Sequence, residues 1–161
     1  MTTKTRIIIA CVLVLLFIPF SMWWFSEERA VKRRSDHLID VMTIDAESRG
    51  VFRQLKAYSL GGVLADQIEL ESSTVEKVNG SYPKDQIESA FSWICQNSKE
   101  SIFEITEFRE VKIEGDRAIV RATVEGFIEV KGGRPVDGSS DVTLFWVKSD
   151  GNWVLTKMIW N

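Results

Sequence analysis

Proton-transfer chemistry needs a carboxylate or imidazole beside a donor that steadies a developing oxyanion. Four side chains of this sequence are candidates: Asp45, Tyr58, Tyr82 and Glu125. Asp45 shares a predicted helix face with Leu38 and Met42, which would aim it inward. Tyr58 closes a stripe of Val51, Phe52 and Leu55. Glu125 lies on the polar face of a predicted strand, and Tyr82 abuts Pro83. Each has a plainer and stronger reading: helix-end polar group, core-edge aromatic, solvated carboxylate and turn residue, respectively. The only histidine, His37, precedes Leu38 and reads as a surface residue. No His/Cys spacing suits zinc, and no Gly-x-Ser-x-Gly, phosphate loop or Gly-x-Gly-x-x-Gly occurs, so neither metal nor cofactor is expected. Cys11 falls in an apolar run and Cys95 on a predicted helix, where a small core residue is its main reading and no bridge to Cys11 is expected.

The elements that must position these residues follow from periodicity. Glu27 to Asp45 reads as a helix with Val31, Leu38 and Met42 on one face. Glu47 to Tyr58 reads as a second, ended by Gly61-Gly62, with Val51, Phe52, Leu55 and Tyr58 turned to the core. Gln67 to Glu71 alternates as a strand, and Asn79-Gly80 marks a turn. Pro83 opens a third helix, whose stripe is Ile87, Ala90, Phe91, Ile94 and Cys95. From Ile102 onward the pattern is β. Its phase slips between Thr106 and Glu110, predicting a bulge. Glu114-Gly115-Asp116 is a turn, Lys131 to Gly138 a hairpin loop, and Asp150-Gly151 a tight hairpin. Val142 to Val147 is apolar on both faces, as a central strand would be. Trp93, Trp146, Trp153 and Trp160 read mostly as core.

Composition divides the chain in two. Of 161 residues 45% are hydrophobic, yet residues 7–25 carry no charge at all, and all 23 acidic residues follow them. The remainder, 26–161, holds 18 basic residues and a net charge of −5. One small domain fits there, which excludes a two-domain enzyme. The apolar content excludes a disordered chain, and the acidic balance disfavours nucleic-acid binding. As a helix the uncharged run would span ~28 Å, close to the hydrocarbon thickness of a bilayer. Trp23 and Trp24 occupy the interfacial position, and no small-x-small cleavage pair follows them. The reading is a short tail (1–6), an uncleaved single-pass signal anchor in the cell membrane (7–25) and a domain (26–161). Counting Lys and Arg alone leans toward a cytoplasmic C-terminus. The apolar run directly behind Lys4 and Arg6 favours the opposite, N-terminus in and domain outside the cytoplasm, and that orientation is preferred. Arg29, Lys32, Arg33 and Arg34, just past the anchor, could meet anionic headgroups or form a solvated helix face.

The expected architecture is α+β, helices packed on one face of a curved antiparallel sheet. Three runs carry a family likeness: Pro83 to Phe91, Val111 to Val120 with its Gly115-Asp116 turn, and Phe145 to Leu155 with its Asp150-Gly151 turn. Together they resemble the nuclear transport factor 2-like superfamily, which includes SnoaL-type polyketide cyclases and ketosteroid isomerases. The likeness covers roughly residues 28–161 and implies a cone, with a curved sheet wrapped around a long helix and a pocket inside. Its motifs report fold, and that fold hosts many unrelated activities. The leading expectation is a non-catalytic binding or assembly-scaffold module held at the bilayer, paired with a second copy through the open sheet face or with a membrane protein. Anchored domains of this fold serve as scaffolds in bacterial type IV secretion. The alternative is an isomerase, cyclase or hydratase acting on a small apolar ligand in the cone. A carboxylate at Asp45 or Glu125 buried beside a second polar group would favour it, and a cone filled by aromatic side chains would not.

Overall fold

The computed structural model describes residues 26–48 and 50–161; the anchor reading of residues 7–25, with Trp23 and Trp24, lies outside them. No helix among the described residues is long and apolar enough to cross a membrane.

Helix α1 spans Glu27–Met42. Ser26 caps it by accepting from the Arg29 N–H, and Glu27 and Glu28 suit the positive end of its dipole. It buries Val31, Ser35, Leu38, Ile39 and Val41. The helix stops at Met42, short of the expected Asp45, because the sheet takes the next residues. The Thr43 hydroxyl accepts from the Phe103 N–H at 3.0 Å. The N–H and C=O of Ile44 bond those of Ser101 at 2.6 and 2.9 Å.

Helix α2 spans Gly50–Gly61 and buries only Ala57 and Leu60. The expected core face is overturned: Val51, Phe52, Leu55 and Tyr58 point to solvent. Arg53 explains the roll. At 100° per residue it lies with Ala57 and Leu60, opposite that stripe. Its guanidinium donates to the carbonyls of Ser48, Cys95, Ser98 and Lys99 at 2.5–3.0 Å and reaches that of Asp45 at 3.4 Å. Turning the stripe inward would break this clamp.

Strand β1 (Leu64–Ser72), a 3-10 turn (Glu76–Val78) and β2 (Gly80–Pro83) lead into helix α3 (Lys84–Asn97). Pro83 is the α3 N-cap, and Phe91 and Cys95 are buried. Trp93, expected mostly in the core, is exposed. Then come β3 (Ser98–Glu114), β4 (Arg117–Val130), β5 (Val136–Ser149) and β6 (Asn152–Trp160). Sheet order is β2-β1-β6-β5-β4-β3. Every pair is antiparallel except β1–β6, which is parallel, so the sheet is mixed where an all-antiparallel one was expected. The reason is connectivity: α3 carries the chain across the sheet between β2 and β3, so β1 meets β6 only at the end.

The β3 irregularities at Ile105/Glu107 and Phe108/Glu110 fall where the sequence phase slips. Ser149 and Asn152 pair across a two-residue turn in which Asp150 (φ 50°) and Gly151 (φ 80°) are both left-handed, as a type I′ turn requires. The β4–β5 loop is shorter than expected, because residues 136–138 already pair with 126–128. As its two apolar faces predicted, β5 is central.

Alternation sorts the sheet. Ala118, Val120, Ala122, Val124, Val142, Leu144, Trp146 and Leu155 face the helices and form the core. The sheet curls far enough that Phe103 on β3 meets Trp160 on β6 edge to face, with ring centroids 6.1 Å apart. A glycine permits this: a Cβ on Gly126 would come within 2.9 Å of the Phe103 ring. The result is an α+β cone of three helices on a curved mixed sheet.

Candidate functional site

The sequence-predicted carboxylates and phenols do not meet. Asp45 is exposed in the turn after α1, in a shallow depression shared with Glu47 and Glu100. Glu125 is exposed on the outer sheet face, in a groove of about 420 Å³ with Glu104, Phe127 and Asp137. Tyr58 is 80% exposed on α2. Tyr82 is half-buried on β2, opposite Ile68. His37 is exposed on α1, beside Arg33, Arg34 and Trp153 in a separate depression. None therefore sits inside the cone beside a second polar group.

The cone interior is apolar. Among the described residues the buried polar ones are Ser35, Ser98 and Ser101. The Ser35 hydroxyl donates to the Val31 carbonyl, and that of Ser101 to Met42, each at 3.0 Å. Trp146, 1% exposed, is the largest fully buried side chain among the described residues. Its indole N–H has no protein acceptor, a cost of ~1–3 kcal/mol that packing of the large ring must outweigh. Cys95 is buried, and burial pushes its thiol up from the ordinary value against the pull of Arg53. That makes it an inert core residue. No group of three or more His, Cys, Asp or Glu among the described residues could hold a metal.

On α1, one carboxylate escaped the sequence reading. Asp36 is exposed, yet neighbouring protein desolvates its carboxyl enough to raise it above the usual aspartate value, with Lys32 opposing. Lys32 itself bonds Glu28 at 2.7 Å and lies 5.6 Å from the centre of the Phe108 ring. The one signal in the sequence is the Lys32/Asp36 spacing of one helical turn, next to the buried Ser35 and Ile39. Of the expected headgroup contacts, Arg34 turns inward. Its Nε donates to the Trp153 carbonyl at 2.9 Å and its Nη2 to that of Gly62. Burial lowers its pKa from the ordinary guanidinium value.

The outer face of the sheet carries a cleft with an apolar floor. Ile119, Phe145, Val147 and Thr156 form its floor, and Lys112, Glu114 and Arg117 its rim, around about 530 Å³. The floor side chains are half-buried, and none of the described helices packs on this face. At the rim, Lys112 and Glu114 are 2.7 Å apart and hold each other charged: the hydrogen bond raises the ammonium and lowers the carboxyl. Next to the floor, Lys157 bonds Glu71 at 2.6 Å and Glu69 at 3.2 Å and sits 5.9 Å from the Phe145 ring centre. Those carboxylates, Glu71 first, raise its pKa against some burial. The Thr156 hydroxyl is already spent on the Phe145 carbonyl at 3.1 Å. An apolar floor with a rim on which Lys112 and Glu114 pair suits docking. The two-faced apolarity of β5 was the sequence signal for this surface.

Comparison with solved structures places the architecture. A candidate aromatic ring hydroxylase from Novosphingobium aromaticivorans superposes with a TM-score of 0.67 at 17% identity, over 84% of this chain and 87% of that one. A candidate scytalone dehydratase from the same organism gives 0.63 at 16%, over 84% and 83%. A nuclear transport factor 2-like protein from Cytophaga hutchinsonii gives 0.63 at 14%, over 85% and 98%. No family model and no curated protein matches the sequence. The chain thus has the nuclear transport factor 2-like fold, at identities that speak to fold alone.

Proposed function

We propose that this chain is a membrane-held, non-catalytic assembly module that binds through the outer face of its sheet. Residues 7–25 are its anchor, with the N-terminus in the cytoplasm and the domain outside. The cleft floored by Ile119, Phe145 and Val147 is the docking surface, and a second copy of the chain is the occupant. One observation carries this reading: among the described residues the cone interior holds the buried Trp146, Leu144 and Val120, while half-buried apolar side chains on the opposite face have no described helix over them. Anchoring strengthens such pairing, since confinement raises the effective concentration of each copy toward the other.

The test is sedimentation of the full chain in detergent micelles. A dimer that Ile119→Arg converts to monomer, with unchanged circular dichroism, supports the proposal. A wild-type monomer contradicts the pairing and leaves another membrane protein as the partner to be sought.

A second reading rests on Asp36. Its carboxyl, one helical turn from Lys32 and raised by desolvation, is a group that could exchange a proton with a small apolar ligand. The names of two similar structures, a candidate hydroxylase and a candidate dehydratase, lie in the same direction. This reading requires turnover of a small hydroxyketone that is lost in Asp36→Asn.

A further inference from the structure

The outward stripe of α2 is unused by the cone and by the proposed docking face. Val51, Phe52, Leu55 and Tyr58 are between 54% and 80% exposed on one side of two helical turns. Single exposed apolar residues need no explanation, but four in register form a patch that covers something.

We infer that this face of α2 rests in the lipid interface, so that the domain lies on its side against the bilayer. The inference rests on the anchoring proposed above. The uncharged run ends at Phe25, directly before the α1 N-cap Ser26, whose extended backbone (φ −61°, ψ 139°) starts α1 as a new helix free to take a direction of its own along the bilayer. Helix α1, 16 residues long, extends ~24 Å from that point. Helix α2 runs back beside it. Lys56 donates to the Asp40 carbonyl near the far end of α1, and Arg34, nearer the start of α1, donates to the Gly62 carbonyl just past the end of α2. The stripe therefore lies within one α1 length of the membrane entry point, with Tyr58 nearest.

The chemistry fits lipid. Phenylalanine, leucine and tyrosine on one side of a short helix are the side chains that bury at the headgroup–acyl boundary. The adjoining surface of α1 is mixed in charge, with Arg33 and His37 beside Asp36 and Asp40, so the apolar stripe supplies the attraction. The anchor already holds the domain against the bilayer.

A photo-crosslinking amino acid at position 58 tests this in the full chain. Position 58 is 80% exposed, so a benzophenone side chain fits without repacking. The chain is inserted into vesicles of phosphatidylcholine and phosphatidylglycerol, washed with alkaline carbonate, irradiated and analysed by mass spectrometry. The expected result is retention in the vesicles and about tenfold more lipid adduct at 58 than with the same residue at 136, which is 68% exposed at the start of β5 and outside the docking cleft. Loss of the chain in the carbonate wash overturns the anchor and this inference with it. Retention with no excess lipid adduct at 58, or with cross-links from 58 to a second copy, overturns the lipid-facing role of α2 and leaves the anchor standing.

Discussion

Replacing Arg53 should be the most damaging single change on a half-exposed residue of this domain. Its guanidinium spans three segments: the α1–α2 turn through Asp45 and Ser48, the end of α3 through Cys95, and the start of β3 through Ser98 and Lys99. Four of its five contacts are 3.0 Å or shorter. A hydrogen bond to a charged donor is worth ~1.5–3 kcal/mol where its partner cannot rehydrate. Here the Asp45 and Lys99 contacts are exposed, and water replaces much of what they lose. The Cys95 and Ser98 contacts are part-buried, and the loss of the positive charge at the α3 C-terminus adds ~0.3–1 kcal/mol. Arg53→Met, which keeps the aliphatic stem, should therefore cost about 3 kcal/mol. At ~2–4 °C per kcal/mol for a domain of this size, the midpoint should fall by about 6–12 °C. Arg53→Lys should recover only a minor part, because a single ammonium cannot reach carbonyls spread over a planar fork. Scanning calorimetry gives the midpoint, and hydrogen exchange should show loss of protection localised to residues 44–50 and 95–101. A midpoint for Arg53→Met within about 1 °C of wild type would refute the clamp and, with it, the explanation for the outward roll of α2.

Further expectations concern packing, charge and reactivity. Gly126→Ala should cost ~1–3 kcal/mol in urea unfolding, because the new methyl strikes the Phe103 ring, and Phe103→Leu in the same chain should return part of it. Asp36→Asn should raise the melting temperature at pH 7. A carboxyl raised by folding contributes stability below its unfolded pKa and loses it as pH rises through the folded one, so the gain should vanish as pH falls through the ordinary aspartate range. Glu27 behaves oppositely. Bonded to Lys148 and to the Trp153 indole, its carboxyl is lowered, so the contribution it makes above the unfolded glutamate pKa should disappear on acidification through its folded pKa; Glu27→Gln should show a flatter acid limb. In a Cys11→Ala chain the Cys95 thiol should react with a disulfide reagent only on unfolding, and rapid labelling of the native chain would contradict its burial.

What could be read from the sequence was local, and what could not was set by distant partners. The Asp150-Gly151 turn, the β3 bulges and the start of α1 depend on nearby residues, so they stood out in the chain. The α2 stripe was equally visible, but periodicity tells which residues share a face and says nothing about what covers that face. Arg53 decides the matter, and an arginine that binds backbone carbonyls leaves no side-chain motif to read. The parallel β1–β6 pairing joins distant segments, with β2, α3, β3, β4 and β5 between them. Asp36 was missed because desolvation is a tertiary effect. Asp45 misled because its helical phase held only if α1 continued, and the Ile44–Ser101 pairing ends the helix first. The Ile119, Phe145 and Val147 surface was half legible, since an apolar second face on a central strand announces that something covers it.

The account stands most directly on counting copies in the membrane. Single-molecule photobleaching of the full chain, dye-labelled on a tag at Asn161 in native membranes, measures location and stoichiometry together. The prediction is membrane-bound spots that bleach in two steps and that Ile119→Arg reduces to one. Fluorescence that stays in the aqueous phase, or two-step spots indifferent to Ile119→Arg, would contradict it.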